Sequence, residues 1–485
     1  MHIPRHFLSD WTVITLYKYN HFNFRKYDDT ILITNDAGRF IFLDPDSFRQ
    51  FICGSLTPNS TAYHQLKENG FLIDEPFDVF AAKYSSAVRS MKSYLFSSTA
   101  LHIFAVTNTC NLNCVYCQAK DIHSSLGGMM SPETGKKAIA LAMQSPSPSL
   151  TFEFQGGEPL LNFDTVLEMI RYSKELNETC HKDIQYTIVS NLIALTDIKL
   201  QMLLRENVSI CTSLDGCALV HNKNRVLKSD GSGSFPLVMQ QLKKLKAMQI
   251  PVGAIETTTR FGLSYPKELL DTYIEAGIHS IFIRPMTPLG FAKAYWDEIG
   301  YSPEVYLHFY RTAFEYILSI NQAGHLFPEL QAVYFLKKIL TGTADNYMEL
   351  RSPCGAGVGQ LSYYYDGNVY TCDEGRMISE SGDISFRLGN VYTSTYNDLM
   401  ESQTCKSLCA ASVVEALPHC CDCVYHHYCG VCPIVSYVGE KDIFPRQPFD
   451  FRCKVYSGIL DLLFEKIRSG DKEIMDIFYS WIENC

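Results

Sequence analysis

The chain has 485 residues, of which 46% are hydrophobic and 19% charged, an ordinary globular balance with enough material for two or three domains. Its net charge of −10 argues against a phosphate-binding surface, so nucleic acid is a poor partner. No run approaches the ~18 apolar residues of a membrane span, and the opening stretch lacks a basic end followed by an apolar run, which predicts a cytoplasmic protein.

Residues 1–97 read as one unit. Ile31–Thr34 and Arg39–Leu43 are predicted strands joined by the hairpin signal Asn35-Asp36-Ala37-Gly38. Asp44-Pro45-Asp46 reads as an N-cap with proline at the first helical position. Asn69-Gly70 stops a helix before an apolar run. The pattern is winged-helix-like, and such a unit serves as a peptide-recognition element or as a lid.

From 98 to about 290 the chain alternates apolar β-rich runs with amphipathic helices. The runs are Leu101–Thr107, Leu150–Gln155, Gln185–Ser190, Val208–Ser213, Val252–Thr258 and Ser280–Arg284. Six β–α repeats predict an α/β fold, a partial (β/α)6 barrel with a parallel sheet and right-handed crossovers. Reactive loops then lie at the carboxyl ends of the strands. Residues 291–350 look mostly helical. The tail, 351–485, holds eleven of the eighteen cysteines and closes with a helical run near Tyr456–Ile467. So many cysteines in a reducing compartment are more often metal ligands than disulfides.

Cys110, Cys114 and Cys117 follow directly after the first strand. Three thiolates this close can wrap one face of a cubane cluster, and the missing fourth leaves one iron open to an external ligand. A structural zinc knuckle, with His123 as a conceivable fourth ligand, is the competing reading. The strand–cysteine loop–β/α context favours the cluster. Gly156-Gly157-Glu158-Pro159 ends the second strand, where glycines allow close backbone approach and a carboxylate can accept from an ammonium. Ser190-Asn191 ends the third strand and Ser213-Leu214-Asp215-Gly216 the fourth, with Arg225 twelve residues after Ser213. For Arg225 a surface salt bridge is the plainer alternative.

These motifs resemble the radical S-adenosylmethionine (SAM) superfamily, with Tyr116 in its usual aromatic position before the last cysteine. The resemblance implies that the cluster and SAM yield a 5′-deoxyadenosyl radical, and that Gly156, Gly157, Glu158 and Pro159 hold the methionine amine. It implies a ribose contact for Ser190 and a SAM-carboxylate role for Ser213 and Arg225. Where relatives carry Thr-Asn-Gly, this chain has Leu192 in place of the glycine.

The tail resembles the SPASM domain, an auxiliary-cluster module of radical SAM peptide maturases. By position Cys354, Cys372 and Cys432 would hold one auxiliary 4Fe–4S cluster, which Cys405 or Cys409 could close because Gln360 stands near where sulfatase-maturing relatives insert a further cysteine. Cys420, Cys423, Cys429 and Cys453 would hold a second. Zinc ribbons are the competing reading of the paired cysteines. Asp373, directly after Cys372, matches the aspartate that deprotonates the substrate in sulfatase-maturing relatives; a capping carboxylate is the alternative. Leu32–Arg39, Phe386–Val391, Tyr428–Pro433 and Cys453 with its following helix look most like the His-Xaa-Ser system radical SAM maturase. That likeness implies a polypeptide substrate with His-Xaa-Ser repeats, a second radical SAM protein as partner, and an electron donor such as flavodoxin or ferredoxin. Formylglycine formation of the sulfatase-maturase type is the alternative enzyme. A zinc-stabilised binding protein is the alternative outside enzymes.

Overall fold

Leu101–Thr107 is the strand on which the larger unit is built. In a computed structural model that describes residues 17–120, 127–343 and 347–485, this unit comprises residues 95–336, 346–418 and 429–485. The smaller unit comprises residues up to 94 with 337–345 and 419–428. The reading of the first residues as lacking an export signal falls largely on 1–16, outside the described residues, as does the conceivable ligand His123.

In the smaller unit, β1 (Lys18–Tyr19), β2 (Asn23–Tyr27), β3 (Thr30–Thr34), β4 (Phe40–Leu43) and β5 (Leu72–Ile73) form two small sheets. β2–β3–β4 is an antiparallel meander, and β1 pairs with β5. The predicted hairpin joins β3 to β4, with Ile31 opposite Leu43 and Thr34 opposite Phe40. Asn35 closes its turn, since its Oδ1 accepts from the Ala37 and Arg39 amides. Asp44 caps helix Pro45–Ile52 by accepting from the Asp46 and Ser47 amides. Ile33, Leu43, Phe51, Leu66 and Phe71 are the buried centre.

The larger unit carries β6 (Leu101–Thr107), β7 (Ser149–Gly156), β8 (Asp183–Val189), β9 (Val208–Ser213) and β10 (Val252–Ile255), all parallel. Side chains alternate along β7: Phe152 and Phe154 are buried, while Thr151, Glu153 and Gln155 are partly exposed on the other face. Helices Pro132–Ala142 and Phe163–Cys180 cover one face and pack closely on each other, with Gly135 against Met169.

The sixth repeat departs from expectation. Ser280–Arg284 forms only isolated bridges, Ile281 to Glu329 and the adjoining Pro285 to Thr258. Its amides are taken by buried carboxylates instead of a neighbouring strand: Ile283 donates to Glu329 (3.1 Å) and Arg284 to Glu256 (3.0 Å). Pro285 then has no amide to offer. The tail, expected to be loop-rich, extends the sheet on its other edge. β11 (Gln360–Tyr364) pairs parallel with β6, and β12 (Asn368–Tyr370) and β13 (Arg387–Asn390) follow antiparallel. The eight-stranded order is β10-β9-β8-β7-β6-β11-β12-β13.

Helices Pro303–Gln322, Leu330–Leu336, Phe451–Ser469 and Lys472–Asn484 pack together, with Trp481 edge-on to Phe314 and its indole donating to Asn321. Among the described residues, no helix is long and apolar enough to cross a membrane.

Candidate functional site

The loop after β6 carries Cys110, Cys114 and Cys117 and is pinned by backbone bonds on several sides. The Asn113 amide donates to Val226 O (2.8 Å) and Val115 to Asn224 O (2.9 Å), while Lys228 donates back to Asn111 O (2.9 Å). The Phe291 amide donates to Cys117 O (3.0 Å). A loop fixed at so many points presents its side chains in one arrangement. The three thiols are near enough to one another to interact electrostatically. All three line one cavity of about 180 Å³.

Burial dominates their acidity. It pushes Cys110 up to about 11 and Cys114 up to about 12, and raises Cys117 as well. Such thiols ionise readily only with a cation among them. Weak donors already face the sulfurs: the Leu112 amide at 3.4 Å from Cys110, Asn191 Nδ2 at 3.9 Å from Cys110, and Arg225 Nη1 at 4.0 Å from Cys114. Three converging sulfurs with amide and guanidinium donors fit an iron–sulfur cluster well.

The turn after β7 is pressed against this loop. Gly156 has φ +130°, and a Cβ there would lie 2.2 Å from Thr107 O; a Cβ on Gly157 would lie 2.2 Å from Thr109 O. Only glycines allow the Gly157 amide to reach Thr107 O (2.7 Å) and the Glu158 amide to reach Thr109 O (2.9 Å). Gly156 and Gly157 line the cavity, as do Tyr116, Ser190, Ser213 and Arg225.

Glu158 and Pro159 are buried beside the cavity and are not among its lining. The Glu158 carboxylate is engaged by the protein itself: Ser190 Oγ donates to Oε1 (2.7 Å), the Leu160 amide to Oε1 (3.0 Å) and the Asn191 amide to Oε2 (2.8 Å). Its burial raises its pKa, and these donors work against the rise. Glu158 therefore ties the turn to the end of β8 and sets the position of Ser190 and Asn191. Leu192, at the glycine position of relatives, holds φ +63° with its side chain fully buried.

Arg225 is neither free nor on the surface. Its Nε lies 2.9 Å from Asp215 Oδ2 and its Nη2 3.1 Å from Oδ1, and the two side chains are 9% and 0% exposed. Tyr116 OH donates to Asp215 (2.7 Å), and the Arg225 guanidinium lies over the Tyr116 ring at 5.2 Å. Asp215 thus orients both, leaving Nη1 toward Cys114. The surface salt bridge is replaced by a buried one at the cavity wall.

A second chamber, about 200 Å³, shares Gln118, Gln155, Ser213, Arg225 and Met377 with the first. Its far wall is charged. Arg284 Nη2 reaches Glu349 Oε1 (3.3 Å), Arg452 Nη1 reaches Glu349 Oε2 (3.4 Å), and Tyr456 OH donates to Oε2 (3.2 Å). Burial works to raise the Glu349 carboxyl, but Arg452 and Arg284 outweigh it and hold it low. Asp373 also lines this chamber, and Arg376 occupies it through a 2.8 Å contact. Sequence reasoning missed Arg284, Glu349, Arg452 and Tyr456. The sequence hints at two of them: Arg452 by its adjacency to Cys453, and Arg284 by its place at the carboxyl end of a predicted strand.

Behind this wall, Cys354, Cys372 and Cys432 share an apolar core with Leu289, Phe386 and Ile434. Their thiols act on one another, and burial pushes Cys354 up to about 12 and Cys432 up to about 11, with Cys372 well above the ordinary value. The Gly375 amide points at Cys372 Sγ from 3.4 Å. This set also fits a cluster by its donor chemistry. Cys405 and Cys409 interact with each other: the hydrogen bond between them raises Cys405 and lowers Cys409 to about 7. Cys420 and Cys423 belong to the smaller unit, and Cys429 and Cys453 to the larger one.

Comparison with known proteins agrees with this geometry. Residues 104–275 match the model of the radical SAM superfamily. An uncharacterized protein of Methanocaldococcus jannaschii is 30% identical over 189 residues, 38% of this chain, and the match spans 62% of that protein, under two thirds of its length. The cysteine-type anaerobic sulfatase-maturating enzyme of Clostridium novyi is 23% identical over 340 residues, 68% of this chain and 87% of that one. Among solved structures, native anSMEcpe with bound AdoMet superposes with a TM-score of 0.66 at 19% identity, covering 78% of this chain and all of that one. Streptococcus suis SuiB bound to its precursor peptide SuiA superposes with a TM-score of 0.53 at 13% identity, covering 89% and 99%. At 13–19% identity these two structures speak for the fold alone. The chain carries a radical SAM domain on residues 104–275, with S-adenosylmethionine and an iron–sulfur cluster as the cofactors of that family, and it is homologous to the anaerobic sulfatase maturases.

Proposed function

We propose that this chain is a peptide- or protein-modifying radical SAM enzyme, acting on a ribosomally made polypeptide with His-Xaa-Ser repeats. The observation that carries the reading is the pair of joined chambers. One is lined by Cys110, Cys114 and Cys117, and the other is walled by charged side chains in front of Cys354, Cys372 and Cys432. SAM and the reduced cluster, when bound, supply a 5′-deoxyadenosyl radical by one-electron cleavage of the sulfonium bond. The protein's own residues do the rest. Gly156 and Gly157 would let the methionine end approach the backbone, Arg225 and Ser213 would receive its carboxylate, and Ser190 would stand beside the ribose. Gln118, Gln155 and Met377, common to both chambers, line the path to the substrate group.

In this reading Cys354, Cys372 and Cys432 hold one auxiliary cluster, and Cys420, Cys423, Cys429 and Cys453 a second. Clusters held by these cysteines would supply an acceptor or relay for the electron left after hydrogen abstraction. The cytoplasm, with flavodoxin or ferredoxin as reductant, suits such oxygen-sensitive chemistry. Formylglycine formation is the second reading, favoured by the sulfatase-maturase homology and by Asp373 at the chamber wall. Against it, a base at Asp373 must first leave Arg376.

Anaerobic purification should yield about twelve irons per chain with matching sulfide; zinc in their place rejects the radical reading. Coexpression with a His-Xaa-Ser polypeptide, followed by mass spectrometry and chiral amino-acid analysis, tests the substrate. An unmodified polypeptide beside active SAM cleavage removes it, and conversion of a Cys or Ser residue in a sulfatase-type peptide to formylglycine establishes the second reading.

A further inference from the structure

The smaller unit gathers a set of metal-ligating side chains that the radical chemistry does not use. Asp36 sits at the tip of the β3–β4 hairpin, in the turn that Asn35 closes. Its Oδ1 lies 3.3 Å from His21 Nδ1, 3.8 Å from His426 Nε2 and 3.7 Å from His427 Nε2. One ligand atom from each of Asp36, His426 and His427 lies within 4.8 Å of the other two. The two longer distances exceed a hydrogen bond, whose N···O separation is about 2.9 Å. They suit donors around one ion: bonds of about 2.0–2.1 Å in a tetrahedron put neighbouring ligand atoms about 3.4 Å apart.

The site is built rather than accidental. The His426 and His427 side chains are only 2% and 4% exposed. His427 Nε2 is buried and has no hydrogen-bond partner. His426 Nδ1 lies 2.9 Å from Cys423 O. Asn23 Nδ2 lies 3.1 Å from the same nitrogen; in the tautomer that donates to the carbonyl, Nε2 is left unprotonated and able to ligate, as in metal-bound histidine. The segment holding both rings is fastened to the β2–β3–β4 sheet. Asn23 Nδ2 donates to Cys421 O (3.1 Å), Thr34 Oγ1 to Val424 O (2.8 Å), and Tyr428 OH to Gly38 O (3.0 Å). A carboxylate and two imidazoles thus bring one ligand atom each to a common place, which a cation can share.

We propose that Asp36, His426 and His427 bind a single zinc-class divalent ion within the smaller unit, with water completing its shell. The ion clips the hairpin tip to the segment that carries Cys420 and Cys423. This inference does not depend on the substrate or on the radical reaction.

The test uses the full chain with its iron–sulfur clusters installed anaerobically, so that the cysteines are occupied, and titrates it with zinc against a chromogenic chelator. One zinc per chain is expected. X-ray absorption at the zinc edge should show a nitrogen/oxygen shell near ~2.0 Å and no sulfur shell near ~2.3 Å. His427→Gln should weaken zinc binding by more than about 100-fold, the upper end of what loss of an outer-shell partner costs, with iron and sulfide unchanged. Asp36→Asn, at a partly exposed hairpin tip, serves as the second variant should His427→Gln fail to fold. Absence of stoichiometric zinc, a sulfur shell, equal affinity in the variant, or loss of iron instead of zinc each overturns the proposal.

Discussion

Cys110, Cys114 and Cys117 and the set Cys354, Cys372 and Cys432 are both groups of three thiols whose pKa is raised by desolvation, yet their surroundings differ. The first lies on a loop held by backbone hydrogen bonds, with a cavity before it and polar donors around it. The second is embedded among Leu289, Phe386 and Ile434. A site that must admit a cofactor keeps an open, polar face, and its stability is delegated to the backbone around it. A site without that duty can merge into a hydrophobic core, where metal binding and folding share one free energy.

The largest effect that sharpens this contrast is loss of the first set. Cys114→Ala should abolish SAM cleavage, read as 5′-deoxyadenosine by chromatography, and remove about four irons while leaving the thermal midpoint nearly unchanged. Cys372→Ala should do the reverse, removing about four irons and lowering the thermal midpoint by ~10 °C or more, with SAM cleavage surviving. Equal thermal loss in both variants would break the comparison.

Asp215→Asn comes next. It leaves Arg225 buried beside Cys114 without its counter-charge, which should cost about 3 kcal/mol in denaturant unfolding and raise the KM for SAM. An unchanged KM would show that Arg225 does not depend on Asp215 for its orientation.

The narrowest effect concerns Glu153, on the partly exposed face of β7. Burial first, then the charge of Asp373, pushes its carboxyl up to about 7. A carboxyl whose folded pKa exceeds its ordinary value of 4.5 contributes stability below that value and loses it as pH rises through about 7. Glu153→Gln removes this penalty, so the variant should gain about 3 kcal/mol over the parent at pH 8 and nothing at pH 4. A pH-independent difference would separate Glu153 from the second chamber.

Much of the site was legible because its signals are local. The Cys110–Cys117 spacing, the glycine turn and the hairpin at Asn35–Gly38 each fall within a few residues. Where the reading failed, the cause was distant. Ser280–Arg284 has the composition of a strand, but Glu256 and Glu329 captured its amides. The tail looked loop-rich because Gln360–Tyr364 gains its strand partner only by reaching β6, far back in the chain. That Glu158 accepts from Ser190 and Asn191, in the loop after β8, is likewise set by distant parts of the chain.

By itself, the sequence determined the alternation of strands and helices, the two families of cysteines and the chemistry they invite, because periodicity and short spacings are properties of neighbouring residues. Tertiary structure alone decided that Arg225 and Tyr116 answer to Asp215, that two chambers share one wall, and that Asp36 meets His426 and His427. Those outcomes depend on which strand ends adjoin and which hairpin tip faces which turn. The packing of the whole chain sets both, and no local pattern encodes them.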